Sequence, residues 1–185
     1  MNAWQLQQTV RVMQSGGVIA YPTEAVWGLG CDPYDRSAVM RLLKLKRRPV
    51  HKGLILVAAS QAQIAPLLGG LTAEQLGWLD QTWPGPNTWL LPDPTGLVPD
   101  WIKGQHSQVA IRVSAHPLVK SLCEAWGGPI VSTSANPSNA YPARSRLKVM
   151  AYFGCGLDKI IDGKLGGQKS PSTIRSIADS SVIRL

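Results

Sequence analysis

The chain has 185 residues, 44% of them hydrophobic, and a formal net charge of +8. That length suits one domain able to bury a core without disulfides or metal, and the positive balance favours anionic partners. No stretch of 18 apolar residues is present, and Cys31, Cys123 and Cys155 form no C-x-x-C pair, which argues against a membrane span, a disulfide framework and a cysteine metal site. The first residues lack the charged-then-apolar layout of a signal peptide, so a cytoplasmic location with reduced thiols is expected.

Leu6, Val10 and Met13 fall on one helical face, and Gly16-Gly17 supplies a stop. Val18–Tyr21 reads as a short strand cut by Pro22, and Thr23–Gly30 as a loop of small and hydroxyl residues. Ser37 is placed to cap a helix through Lys46, which Pro49 then closes. The stretch Lys44–Lys52 carries five Lys or Arg, with no Asp or Glu between Arg36 and Ala73. It runs into the apolar strand Leu54–Val57, which would hold a cationic loop at one end of a sheet. A solvated basic turn is the alternative reading of the same charges.

Ser60 opens a helix bearing Ile64, Leu67 and Leu68, and Thr72–Gln75 fits a capping box ahead of Leu76 and Leu79. Trp83–Thr88 is a rigid turn leading into a strand at Trp89–Leu91. Asp93–Ser107 is the least patterned stretch and predicts a surface loop with Trp101–Gly104 at its tip. Val109–Val113 is a strand interrupted by Arg112, Pro117–Trp126 a helix, and Pro129–Ser132 a strand leading into Thr133–Ser138. Ser145 caps a helix bearing Leu147, Met150 and Phe153. Lys159–Asp162, Ser172–Ile174 and Val182–Ile183 are short strands around the turn Gly163–Gly167. Strands and helices alternate, which predicts an α/β class with a largely mixed sheet in a single domain over residues 1–185.

Several strands end in polar or cationic residues, where open α/β folds gather ligands. Ser132–Asn136 is dense in donors suited to phosphate oxygens, or is an ordinary Ser/Asn turn. An Arg at position 112 facing a core needs an anion, supplied by a structural carboxylate or by a ligand. Thr23 suits a ligand contact or a local turn bond, and Glu24 a capping or surface role or the orientation of a loop or a metal-bound water. There is no G-x-x-x-x-G-K-[ST] loop, and Pro33 stands where Gly28-Leu29-Gly30 would need a third Gly to make a dinucleotide fingerprint.

Tyr21-Pro22-Thr23-Glu24, Lys46-Arg47-Arg48-Pro49, Lys52-Gly53-Leu54-Ile55, Trp83–Thr88, Ala110–Val113, Ser132–Asn136 and Ser170–Ile174 occur in the order and spacing of the YrdC/TsaC family, which the chain resembles from about residue 4 to 184. That family makes L-threonylcarbamoyladenylate. The resemblance implies a single-domain twisted mixed sheet flanked by helices around a large, positively charged concave cavity. It implies a nucleotidyltransferase that turns ATP, L-threonine and bicarbonate into threonylcarbamoyladenylate and pyrophosphate, for threonylcarbamoyladenosine modification of tRNA by a separate transferase complex. By position, its K-x-R and S-x-N motifs put Lys46, Arg48, Lys52, Ser134 and Asn136 on ATP, with Arg184 reaching nucleotide and Lys46 and Arg48 stabilising charge. Thr23, Thr88, Arg112, Ser132 and Ser172 would line the threonine. No general acid or base is assigned and no metal site: Mg2+ would arrive with ATP, held by phosphates and water.

Ala25 stands where many members carry a second Thr, and Trp27 where Tyr is frequent. The extra carboxy-terminal domain of longer relatives is not expected after Leu185. The rival reading is a double-stranded RNA-binding or ribosome-maturation module without catalysis, gripping phosphates with the same basic face. RNA binding could also accompany the enzyme activity. The six hydroxyl and amide residues Thr23, Thr88, Ser132, Ser134, Asn136 and Ser172 separate the two readings, since a pure backbone binder gains little from them.

Overall fold

The computed structural model describes residues 2–184. Nine strands form a mixed sheet: β1 (Ile19–Pro22), β2 (Trp27–Gly30), β3 (Ile55–Ala58), β4 (Asn87–Pro92), β5 (Gln108–Val113), β6 (Ile130–Ser134), β7 (Lys159–Ile160), β8 (Thr173–Ser176) and β9 (Val182–Arg184). Their order is β7-β1-β2-β6-β3-β5-β4-β8-β9. The pairs β1/β7, β3/β5 and β4/β8 are parallel, and the other five antiparallel.

Local chemistry sets most helix starts. In α1 (Ala3–Gln14), Asn2 and Gln5 form a capping box. In α4 (Ala73–Thr82), the expected box forms, with the Thr72 hydroxyl accepting from the Gln75 N–H and the Gln75 side chain accepting from the Thr72 N–H. The helix α7 (Arg146–Phe153) is capped by Ser145 as predicted; Val149 and Phe153 are its buried residues, while Leu147 is 77% exposed. The helix α6 (Pro117–Trp126) has the predicted bounds, with Gly127 in the left-handed conformation after it. The helix α3 (Ala65–Leu68) is a short turn following a 3-10 segment at Gln61–Ile64, and Ser60 gives no side-chain cap.

Three further expectations need correction. First, α2 (Arg36–Lys46) is capped by Asp35, whose carboxylate accepts from the Ala38 N–H; Ser37 lies two residues too far in. Arg47 adopts the left-handed conformation (φ 52°) and ends the helix before Pro49 can act. Second, Trp27–Gly30 is a strand and not a loop. Glycine is disfavoured in strands, but here a Cβ on Gly30 would stand 2.6 Å from the Val131 carbonyl oxygen and 2.9 Å from the Tyr21 ring. Close packing against β6 and Tyr21 leaves no room for a side chain at position 30. Third, Asp93–Ser107 is not a plain surface loop. The buried Asp93 carboxylate accepts from the Leu97 and Val98 N–H groups and from Lys103 Nζ, and α5 (Asp100–Lys103) drops Ile102 fully into the core.

Residues directly opposite each other on paired strands share a face. On one face Leu29, Leu56, Trp89, Ile111 and Val131 pack with Val39, Leu42 and Leu79 from helices α2 and α4 into the larger core cluster. On the other, α1 and α6 cover only Ile19, Tyr21, Val57 and Ile130. The rest of that second face continues through Gly28, Ser134, Ser132, Ile55, Ala110, Arg112, Leu90, Thr88 and Ile174 by strand register. No helix covers this remainder. It is the floor of a hollow.

Candidate nucleotide and amino-acid site

The hollow holds two adjoining cavities of about 240 and 250 Å³, which share Arg48, Leu54, Ile55 and Arg184 in their walls. The first is walled by the β1–β2 turn (Thr23–Val26), the ends of β5 and β6 (Arg112, Ser132–Ser134) and the segment Gln168–Ser172. That segment straps onto the turn, because the Gly166 and Gln168 N–H groups donate to the Thr23 and Glu24 carbonyls at 3.0 Å. The second cavity has an apolar floor of Ile55, Leu90, Ala110 and Ile174 with Lys52, Lys103 and His106 around it.

Of the residues named from the sequence, Thr23, Arg48, Arg112, Ser132, Ser134, Ser172 and Arg184 line the first cavity, and Lys52 the second. They come from separate parts of the chain, and the fold brings them together. Lys46, Thr88 and Asn136 do not reach the wall. The Thr88 hydroxyl is fully buried and shares a 2.8 Å hydrogen bond with that of Ser172. Asn136 donates to the Pro137 and Ala140 carbonyls and so closes its own turn. Lys46 is 3% exposed; its ammonium donates to the carbonyls of Ser134 and Asn136. Lys46 therefore braces the Ser134–Asn136 turn from behind.

Among the described residues, no Asp or Glu pairs with Lys46 or Arg48. Burial, with a contribution from Arg48, pushes the Lys46 ammonium down to about 7. Burial and the neighbouring Arg184 work against the charge of Arg48 in the same way. Among the described residues, the Arg48 side chain hydrogen-bonds only to the carbonyls of Lys52 and Gly53. A buried cation without a counter-ion is costly unless a ligand supplies one. The chemistry here is that of an anion site.

Arg112 does have a counter-ion. Glu24 Oε2 lies 3.3 Å from its guanidinium, and Glu24 Oε1 accepts from the Ser114 hydroxyl at 2.6 Å. Burial favours the neutral carboxyl, but Arg112 and Ser114 outweigh it and hold Glu24 below the usual carboxylate range. Glu24 is 5% exposed, which overturns its reading as a surface or capping residue. Sequence reasoning weighed Glu24 without placing it among the site residues, and passed over its supports Ser114 and His116. The available signal was an acidic residue directly after an apolar strand, in a loop of small residues. The Thr23 hydroxyl makes the local turn bond, donating to the Val26 carbonyl at 2.7 Å, and still borders the cavity.

Among the described residues, no group of three or more His, Cys, Asp or Glu side chains is arranged to hold a metal ion, and no helix is long and apolar enough to cross a membrane. Cys31 and Cys123 are buried and Cys155 exposed, all as free thiols.

The Sua5/YciO/YrdC family model, described as telomere recombination, matches residues 11–185. Threonylcarbamoyl-AMP synthase of Stutzerimonas stutzeri is 57% identical over 181 residues, covering 98% of this chain and 97% of its own. The protein of the same name from Hahella chejuensis is 51% identical over 184 residues, with all of both chains covered. Among solved structures, P. abyssi Sua5 complexed with L-threonine matches with a TM-score of 0.90 at 31% identity, over 98% of this chain and 53% of that one. E. coli YciO matches with a TM-score of 0.86 at 24% identity, over 99% of this chain and 89% of its own, a likeness of fold. A family model spanning nearly the whole sequence, relatives more than half identical along their full length, and a shared fold together make this chain a member of the Sua5/YciO/YrdC family.

Proposed function

We propose that the chain is a threonylcarbamoyl-AMP synthase, converting ATP, L-threonine and bicarbonate to threonylcarbamoyl-AMP, pyrophosphate and water. The observation that carries this reading is a set of cations, Arg48, Lys52 and Arg184, that have no carboxylate partner among the described residues and stand beside a row of hydroxyls in one hollow. The names of the full-length relatives support the enzyme and not a module lacking catalysis. In this reading the product serves threonylcarbamoyladenosine modification of tRNA through a separate transferase complex.

The amine of threonine adds to bicarbonate or dissolved CO2 to give a carbamate. A carbamate oxygen then attacks the α-phosphorus of ATP, and pyrophosphate leaves. Arg48, Lys52 and Arg184 face the phosphates, and Arg112 holds the threonine carboxylate among Thr23, Ser132 and Ser172. Lys46, Asn136 and Thr88 act from one layer back, by fixing the backbone of Ser134 and the hydroxyl of Ser172. Nucleotidyl transfer asks for alignment and charge neutralisation more than for a strong base, and the wall is rich in donors accordingly. Carbamates are labile in water, so a hollow that excludes solvent contributes as much as any single contact. Mg2+ belongs to the substrate as MgATP. The lone acid on the wall of the first cavity, Glu24, is engaged by Arg112 and Ser114 and leaves the metal to phosphate oxygens and water.

The test is pyrophosphate release. It should require threonine and bicarbonate together, and release with ATP alone would refute the reading. ATP left untouched while RNA binds with a steep salt dependence would support the noncatalytic rival instead.

A further inference from the structure

We infer that Glu24 is the anchor for the α-ammonium of the amino-acid substrate, so that this site selects α-amino acids by accepting a zwitterion alongside an existing ion pair. The inference rests on threonine being the substrate, and it adds a residue and a basis of selection to that reading.

The first observation is one of charge. The first cavity is bordered by Arg48, Arg112 and Arg184, and Glu24 is the one acidic residue among the described residues of its wall. An ammonium group entering among three guanidinium groups needs an anion close by, and Glu24 alone supplies it. The second is geometric. Glu24 and Arg112 lie 3.3 Å apart, yet Glu24 Oε2 and Arg112 Nε are both buried without a hydrogen-bond partner. Each partner of this pair keeps one strong group in reserve: an acceptor on the acid, a donor on the base. An α-amino acid carries the complement, an ammonium and a carboxylate separated by one carbon. Docked alongside the pair, its ammonium toward Oε2 and its carboxylate toward Arg112, it satisfies both reserved groups and keeps the net charge of the pair unchanged.

The third observation concerns rigidity. The Ser114 hydroxyl donates to Oε1 at 2.6 Å and accepts from the His116 N–H at 3.1 Å, while Oε2 faces the Arg112 guanidinium at 3.3 Å without accepting a hydrogen bond. The backbone around Glu24 is closed from behind: a Cβ on Gly166 would stand 2.9 Å from the Glu24 Cα. Glu24 is thus held in place by its neighbours while Oε2, ion-paired with Arg112, keeps its hydrogen-bonding capacity, as expected of a ligand contact. A carboxylate held below its ordinary range is a weak base, so its task is to bind the ammonium, not to remove its proton.

Titration calorimetry with L-threonine and with 2,3-dihydroxybutanoate, in which a hydroxyl replaces the amine, tests this. Wild-type protein should favour threonine at least tenfold. Glu24→Gln should lose at least tenfold in threonine affinity, hold its ATP affinity within twofold, and bind the deaminated analogue no worse than wild type. Equal loss for both ligands would make Glu24 a support for Arg112 only and overturn the inference, as would unchanged threonine binding. If the Gln variant fails to fold, the wild-type comparison alone decides, since absence of discrimination overturns the anchor. A wild type that binds ATP but neither small ligand would overturn the proposed substrate, and the anchor with it.

Discussion

Lys46 and Arg48 are two residues apart and do different work. Arg48 borders both cavities, whereas Lys46 is buried behind Ser134. Arg48→Ala should therefore cut turnover by roughly 10²-fold or more, the scale of losing a preorganised charge contact, with a melting temperature near that of wild type. Steady-state pyrophosphate release beside a thermal melt checks both halves. Lys46 should instead betray itself through pH. Its folded value of about 7 lies below the ordinary lysine range, so between the two the unfolded chain binds more protons than the folded one. Stability must then rise with pH from about 7 toward the unfolded lysine value and gain nothing from this group below it. Lys46→Met, measured by urea unfolding at pH 6 and pH 9, should flatten that rise; an unaltered slope would place the buried charge elsewhere.

Among the elements, the segment from Asp93 to Gly104 does the most to shape the second cavity. Gly53 and Gly104 both sit at positive φ with backbones in close approach, and a Cβ on Gly104 would stand 2.4 Å from the His51 carbonyl oxygen. The Leu54 N–H donates to the Ile102 carbonyl at 2.8 Å, and the Gln105 N–H to the His51 carbonyl at 3.1 Å. This pins the cationic turn Val50–Lys52 to α5. Gly104→Ala should cost at least about 2 kcal/mol from left-handed strain and backbone overlap together. For a chain of this size that lowers the melting temperature by roughly 4–8 °C, readable by calorimetry, and should weaken ATP binding through displacement of Lys52. Asp93→Asn should lower stability by about 1–3 kcal/mol by weakening the hydrogen bonds that fold the segment. Burial opposes ionisation of Asp93, but Lys103 and two backbone N–H groups hold it below the usual carboxylate range. Its stabilisation is present above the ordinary carboxylate value and lost as pH falls through the lowered one. The Asn variant should lack that acid limb in unfolding titrations.

For the molecule as a whole, a net charge of +8 acts at a distance and a built cavity acts at contact. The two respond differently to salt. Retention of RNA on the basic surface should fall steeply between about 50 and 200 mM salt, as counter-ion release requires. Pyrophosphate release that depends on threonine should survive the same change, because buried contacts are screened far less than exposed ones. Loss of both in parallel would mean that catalysis depends on the exposed charge and not on the hollow.

Much of this protein was legible in the order of its residues. Alternating patterns with proline and glycine punctuation gave the α/β class, the bounds of α6 and the caps at Thr72 and Ser145, because such signals act within one helical turn. The motifs gave the family for a similar reason: their spacing can be read without coordinates. The residues that face the hollow could not be read that way. Register across the three strands β5, β3 and β6 decides that Arg112 and Ser132 share the open face, and α1 and α6, covering only part of it, decide that the face stays open. Lys46 and Asn136 belong to the same motifs as Arg48 and Ser134, yet packing turns them behind the wall. Glu24 looked like a loop residue until the fold set it against Arg112, far along the chain. A charge is judged by its partners and its burial, and both are long-range properties that only the folded chain possesses.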